Sequence, residues 1–136
     1  MNRITLAKIL LTIAAIQLGV IPPIVDFSTS HVFNLDWAPH AKLHMVWLLT
    51  TGGLLSVYVW VLLWLPAKHS FQRLRHACVP GWVVLTGFFV AAVFRDSYGG
   101  SLADPGADIE IMGISGNVIS FSIAAIFQAA GTFIIW

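Results

Sequence analysis

The stretch Leu43–Leu65, LHMVWLLTTGGLLSVYVWVLLWL, contains no Lys, Arg, Asp or Glu. A helix rises about 1.5 Å per residue, so roughly 20 apolar residues cross a hydrocarbon core of about 30 Å. Three other stretches are similarly apolar: Ile4–Val25, Ala77–Phe94 and Ile111–Trp136. The sequence therefore predicts an all-α integral membrane protein, an antiparallel bundle of four transmembrane helices in which residues 1–136 form one transmembrane domain.

The composition agrees with this interpretation. Of the 136 residues, 58% are hydrophobic and 10% are charged, whereas soluble domains carry about 25% charged residues. Lipid accepts the apolar surface that water would reject. The net charge of +1 favours no nucleic-acid partner, and the single cysteine, Cys78, excludes an intrachain disulfide. The first span has no small-x-small cleavage site, so we expect it to be retained.

The basic residues predict the orientation of the chain. With four spans, both termini and the loop Pro66–His76 lie on one side of the membrane. That side carries Arg3, Lys8, Lys68, Arg73 and Arg75. The other side carries only Lys42 and Arg95. Because basic loops favour the cytoplasmic side, we expect cytoplasmic N- and C-termini.

The acidic residues and most of the histidines fall on the opposite, exoplasmic side. These are Asp26, Asp36, Asp96, Asp104, Asp108 and Glu110, together with His31, His40 and His44. Pro39 can begin a helix, which places His40 and His44 one turn apart on a face that continues to Trp47 and Thr51. Such a pair of imidazoles can bind a metal ion, transfer protons, or serve only as interfacial structure.

Further polar residues allow two interpretations each. Arg95 and Asp96 form an interfacial ion pair, or Arg95 pairs with Asp26 or Asp36 and fixes a carboxylate in a site. Asp26 follows the Pro22-Pro23 bend, and it either points into the bundle or caps the next turn. The deeper polar residues either join helices by hydrogen bonds or line a pocket. The predicted substrate-binding residues are Gln17, Trp37, Trp47, Thr51, Asn117 and Ser120.

The segment 26–44 resembles a family of small four-span membrane proteins of unknown function from bacteria and fungi. Their pattern reads approximately D-W/F-x-x-S/T-H-x-F/Y-N-x-x-W-x-P-H-A-K/R-x-H. It is matched by Asp26, Phe27, Ser30, His31, Phe33, Asn34, Trp37, Pro39, His40, Ala41, Lys42 and His44. Asp104-Pro105 is similar to an Asp-Pro in the last exoplasmic loop of that family. The resemblance implies a site in this segment, in a bacterial inner membrane or a fungal endomembrane.

The leading hypothesis is an intramembrane acid–base enzyme that acts on a lipophilic substrate as an isomerase or cyclase of sterol or terpenoid type. Small sterol isomerases and membrane-bound terpene cyclases are similar only as compact helical bundles. The predicted catalytic residues are Asp26, His40, His44 and Asp96, with Arg95 tuning a carboxylate. We expect a lipophilic small molecule and membrane lipids as partners, no required cofactor, and association into a homo-oligomer as an option.

Two alternatives stay open at this point. A divalent metal bound by His40, His44 and either His31 or Asp26 would support redox or hydrolytic chemistry. A non-enzymatic binding or assembly subunit would instead use the exoplasmic loops to dock a partner.

Overall fold

The computed structural model describes residues 1–66, 70–102 and 109–136. Four residues that carry sequence-based predictions lie outside these ranges: Lys68, Asp104, Pro105 and Asp108. The elements are α1 (Arg3–Gly19), α2 (Ile21–Asp26), α3 (Pro39–Trp64), α4 (Ser70–Phe94), a 3-10 helix (Arg95–Tyr98), β1 (Glu110–Ile111), β2 (Ile114–Ser115) and α5 (Gly116–Ile135). Within the described ranges, four helical segments are long and apolar enough to cross a membrane: Arg3–Asp26, Pro39–Trp64, Phe71–Tyr98 and Gly116–Ile135. The prediction of an all-α, four-helix architecture is confirmed.

Several helix ends differ from the predicted spans. The helix α3 begins at Pro39, one turn before the predicted Leu43, because the proline supplies the φ of a first helical turn. The helix α4 begins at Ser70 rather than at Ala77, so Pro80 lies inside the helix. Hydropathy detects the apolar stretch that lipid requires, and it does not detect polar turns that extend a helix beyond it.

The fourth predicted span is shortened at its start. Residues from Ile111 to Ser115 form a hairpin in which Met112 and Gly113 take positive φ values of 56° and 78°. A helix cannot continue through this left-handed turn. The helix α5 therefore begins at Gly116, where the Ser115 hydroxyl accepts a hydrogen bond from the backbone N–H of Asn117 at 3.3 Å.

The spans pack in a ring. The helix α1 contacts α3 and α5, and α4 contacts the same two helices from the other side. At the crossing of α1 and α3, a Cβ on Gly19 would collide with the Ser56 hydroxyl and with the carbonyl oxygen of Gly52. The Ser56 hydroxyl also donates to the carbonyl of Ala15 at 2.7 Å. Small residues thus permit close backbone approach, as is common between membrane helices.

The bundle has two chemically different ends, the termini end and the loop end. The termini end contains the beginnings of α1 and α4 and the ends of α3 and α5, where Lys8 lies over the Trp64 ring and Arg75 over the Trp136 ring. The loop end contains Asp26, the loop 27–38, and the first residues of α3 and α5. A buried cluster that includes Leu11, Leu63, Leu74, Cys78 and Ile135 lies toward the termini end, and another formed by Leu18, Leu85 and Ala124 lies toward the loop end.

Candidate functional site at the loop end

The loop 27–38 is held in shape by its own hydrogen bonds. The backbone N–H of Val32 donates to the carbonyl of Asp26 at 3.1 Å, and that of Phe33 donates to the carbonyl of Ser28 at 2.9 Å. The Asn34 side chain donates to the carbonyl of Ser30 at 3.0 Å. Val32 is buried and anchors the loop on the bundle. The polar side chains of this loop are therefore presented by a folded turn.

A chain of polar contacts runs through this turn. The Ser30 hydroxyl lies 3.0 Å from the Ser28 hydroxyl and 2.8 Å from Nδ1 of His31. On the other edge of the ring, Nε2 of His31 lies 3.8 Å from Oδ1 of Asp26. The Trp37 ring meets the His31 ring edge to face, with centroids 5.7 Å apart. Serine, imidazole and carboxylate are thus arranged in the order that proton-transferring sites use.

The first turn of α3 carries the two histidines that the sequence placed on one face. Their Nε2 atoms are 3.0 Å apart, and the His44 ring stacks on Trp47 with centroids 5.9 Å apart. A hydrogen bond between two imidazole nitrogens requires that one carries the hydrogen and the other accepts it. One of the two rings therefore donates to the other at this contact, and both side chains are exposed.

Arg95 and Asp96 form a pair with each other. Nε of Arg95 lies 3.6 Å from Oδ1 of Asp96, and Nη1 of Arg95 donates to the carbonyl of Ala92 at 2.9 Å. Among the described residues, the carboxylate that pairs with Arg95 is that of Asp96, in place of Asp26 or Asp36. The 3-10 turn brings the neighbouring carboxylate within reach first. Because the Asp96 side chain is 86% exposed, this pair has the character of an interfacial ion pair.

The deeper polar residues mainly connect elements. Gln17 donates from α1 to the Ser120 carbonyl at 2.6 Å and to its hydroxyl at 3.1 Å. Asn117 donates to the carbonyl of Leu102 at 2.6 Å and so ties α5 to the preceding loop. Thr51 is exposed on α3. For Gln17, Ser120 and Asn117 the geometry therefore favours the role of joining elements over that of lining a pocket.

The predicted gathering of Asp26, His40, His44, Arg95 and Asp96 in one cavity stays a prediction. The structure brings Asp26 together with His31, for which the sequence predicted only a role as a metal ligand. Ser28 and Ser30 continue this chain of contacts from His31, and the sequence did not predict them as site residues. The signal was present, because the sequence pattern combines Asp26 with a Ser-His dipeptide.

Across the described ranges, no group of three or more His, Cys, Asp or Glu side chains is placed to hold a metal ion.

An apolar groove of about 350 Å³ follows one face of α4 toward the loop end. It is lined by Trp82, Leu85, Thr86, Phe89, Val90, Val93 and Phe94. A volume of this size is within the range of pockets that hold small organic molecules. The groove ends at Phe94, one residue before Arg95.

Comparison with known proteins gives a family without an assigned activity. No curated protein and no solved structure matches the chain. The model of one family, described as a family of unknown function (DUF6640), matches residues 10–130. The match includes the loop 27–38, the paired histidines of α3 and nearly all of the four spans. Because it covers most of the sequence, the chain belongs to DUF6640, a family of unknown function.

Proposed function

We propose that the protein is an intramembrane acid–base enzyme that moves a double bond in a lipophilic substrate, an isomerase of sterol or isoprenoid type. The observation that carries this proposal is the polar chain from Ser30 through His31 to Asp26. An imidazole that faces a hydroxyl with one nitrogen and a carboxylate with the other is oriented by the hydroxyl, and the carboxylate stabilises its protonated form. The central proton carrier in this proposal is His31, whereas the sequence pattern alone favours His40 and His44.

The proposed cycle begins with a doubly protonated His31. Its Nδ1–H donates to the Ser30 hydroxyl, and the Asp26 carboxylate facing Nε2 stabilises the positive ring. Nε2 gives its proton to one carbon of the substrate double bond, which leaves a carbocation and a neutral ring. Nε2 then takes a proton from a neighbouring carbon, so the double bond has moved and the protein is restored. No oxidant, reductant or cofactor enters this balance.

The other loop-end residues have supporting roles in the proposal. His40 and His44 lie within hydrogen-bond distance of each other at 3.0 Å and are exposed, so in this proposal they pass protons between the loop end and water. Trp37 packs on the reacting ring. The exposed Arg95–Asp96 pair is the least supported of the predicted catalytic groups, because each charge is already compensated by the other. The apolar groove on α4 supports a substrate that arrives from the bilayer.

An assay with solvent deuterium tests the proposal and does not require that the substrate be identified first. Membranes containing the protein are incubated in D2O, and the extracted lipids are searched by mass spectrometry for carbon-bound deuterium that depends on the protein. We expect such a lipid with the wild-type protein and its loss in His31→Gln, which keeps a hydrogen-bonding side chain but transfers no proton.

The matched control is His76→Gln, because His76 is an exposed histidine on α4 at the termini end. It should leave the deuterium signal unchanged. Equal labelling in wild type and His31→Gln, with both proteins folded, would overturn the proposal. Labelling that disappears on treatment with a chelator and returns with a divalent metal would favour the metal-dependent alternative.

A further inference from the structure

The termini end contains a cavity that combines apolar walls with positive charge. We propose that it binds an anionic phospholipid of the surrounding leaflet, with the phosphate at Lys8 and Arg73 and the first acyl segment against the apolar wall. The site lies at the opposite end of the bundle from Asp26 and His31, so the inference does not depend on the proposed function.

The cavity measures about 230 Å³ and lies where α1, α3 and α4 meet. Its apolar wall includes Ile4, Leu62, Phe71 and Leu74, and its polar lining is supplied by Lys8 and Arg73. A free inorganic anion would gain nothing from the apolar wall. An amphiphile would bury acyl carbons there while its headgroup meets the cations, and each buried CH2 contributes about 0.8 kcal/mol.

Lys8 lies over the Trp64 ring, which is itself hydrogen-bonded to α1. Its Nζ lies 5.4 Å from the centroid of the Trp64 ring. The indole N–H of Trp64 donates to the Thr12 hydroxyl at 3.0 Å, and this hydroxyl donates to the carbonyl of Lys8 at 2.8 Å. This hydrogen bond orients the ring. The cation–π contact positions the ammonium at the cavity without using its N–H donors, which are available to a phosphate.

Arg73 is fixed by the end of α3. Its guanidinium donates to the carbonyl of Leu65 at 2.9 Å and to that of Val61 at 2.5 Å. These carbonyls belong to the last turn of α3 and its C-cap, where a cation is favourable. A guanidinium has five N–H donors, so this arrangement leaves others for an anion.

Within the described residues, the basic side chains at the termini end have no carboxylate side chain as a partner. Arg75 lies beside the cavity, over the rings of Phe71 and Trp136, and its Nε is buried without a hydrogen-bond partner. In the part of the chain that the structure describes, no Asp or Glu forms an ion pair with Lys8, Arg73 or Arg75. Basic pockets between membrane helices at headgroup depth are suited to anionic lipid headgroups. The compensating anion therefore comes from the lipid.

Native mass spectrometry of the full chain in detergent tests this inference. The protein is titrated with phosphatidylglycerol and, separately, with phosphatidylcholine of the same acyl chains. We expect phosphatidylglycerol to bind more tightly, and Lys8→Met to weaken its binding by roughly fivefold, the equivalent of one cation of about 1 kcal/mol near the membrane surface. Methionine keeps the apolar stem and removes only the charge.

The control is Lys42→Met, which removes one lysine at the loop end and should leave the binding unchanged. A second variant, Arg73→Gln, should also weaken binding and covers the case in which Lys8→Met fails to fold. Equal binding of the two lipids by the wild-type protein would overturn the inference, as would equal losses in Lys8→Met and Lys42→Met. Displacement of the lipid by millimolar inorganic phosphate, or equal affinity for a free fatty acid, would also overturn it, by indicating an anion site that is not specific for phospholipid.

Discussion

The two ends of the bundle differ in how their polar side chains find partners. At the loop end, the charged and histidine side chains pair along the chain: Asp26 meets His31, His40 meets His44, and Arg95 meets Asp96, each pair at most five positions apart. The Asn117 amide there bonds to a more distant residue, Leu102. At the termini end, the contacts cross between helices, from Trp64 to Thr12 and from Arg75 to Trp136. A local contact depends on the backbone within about one turn of the two residues. Contacts between helices form only when the bundle packs.

This difference predicts where changes affect chemistry and where they affect stability. A substitution at the loop end should remove function and leave the bundle folded, because it removes a partner a few residues away. A substitution at a helix crossing should reduce the free energy of unfolding, because it disturbs the packing of two spans.

The largest expected effect concerns the side of the membrane on which each end lies. In a Cys78→Ser background, we introduce a single cysteine at Gln72, near the termini end, or at Met112, which is 97% exposed in the hairpin near the loop end. The positive-inside distribution predicts that an impermeant thiol reagent added to intact cells labels position 112 and not position 72. The opposite labelling would reverse the proposed orientation.

The next effect concerns proton transfer. Replacing Asp26 by Asn removes the carboxylate that faces His31 at 3.8 Å but keeps the backbone carbonyl that holds Val32. We expect the rate of deuterium incorporation to fall roughly 100-fold, the order of loss on removing one group that stabilises charge at a reacting centre. The midpoint of thermal unfolding should change little. Asp36→Asn, at an exposed position in the same loop, is the control; an equal fall in both variants would show that the loop and not the Asp26–His31 pair determines the rate.

A smaller effect, now on stability, is expected at the crossing of α1 and α3. In Gly19→Ala the new methyl group collides with the Ser56 hydroxyl and the Gly52 carbonyl. Overpacking of this kind costs about 1–3 kcal/mol. Gly87→Ala on α4 meets no atom within 4 Å, so it should be neutral or slightly stabilising, since alanine favours a helix over glycine. Thermal unfolding of the two variants in the same detergent measures the difference, and equal midpoints would contradict the close packing of the two helices.

The smallest effect is expected from His44→Ala. The side chain is exposed and contacts His40 and Trp47 within its own helix. Its removal should change the free energy of unfolding by less than about 0.5 kcal/mol, as for most surface substitutions. The deuterium assay then separates its roles: a slower rate in both His44→Ala and His44→Gln would support proton exchange through this residue. Loss of the folded state in His44→Ala would show instead that the histidine pair is structural, and the loop end would then resemble the termini end.

The sequence predicted those parts of the site that depend on one helix alone. His40 and His44 lie one turn apart because the spacing of four residues and the proline at position 39 determine their relation wherever the helix packs. The contact of Asp26 with His31 could not be predicted in this way. It depends on the break between α1 and α2 at Val20 and on the fold of the loop 27–38, and several backbone paths of that length would be compatible with the same sequence pattern.

The number of spans and the separation of acids from bases were determined by the sequence itself, because lipid imposes a length and a polarity on each segment independently of its neighbours. Which side chains contact one another across helices was determined only by the tertiary structure. Gln17 on α1 bonds to Ser120 on α5, and Lys8 and Arg73 meet at one cavity. These relations depend on how each helix is rotated about its axis. Hydropathy carries little information about that rotation when apolar residues surround the whole helix.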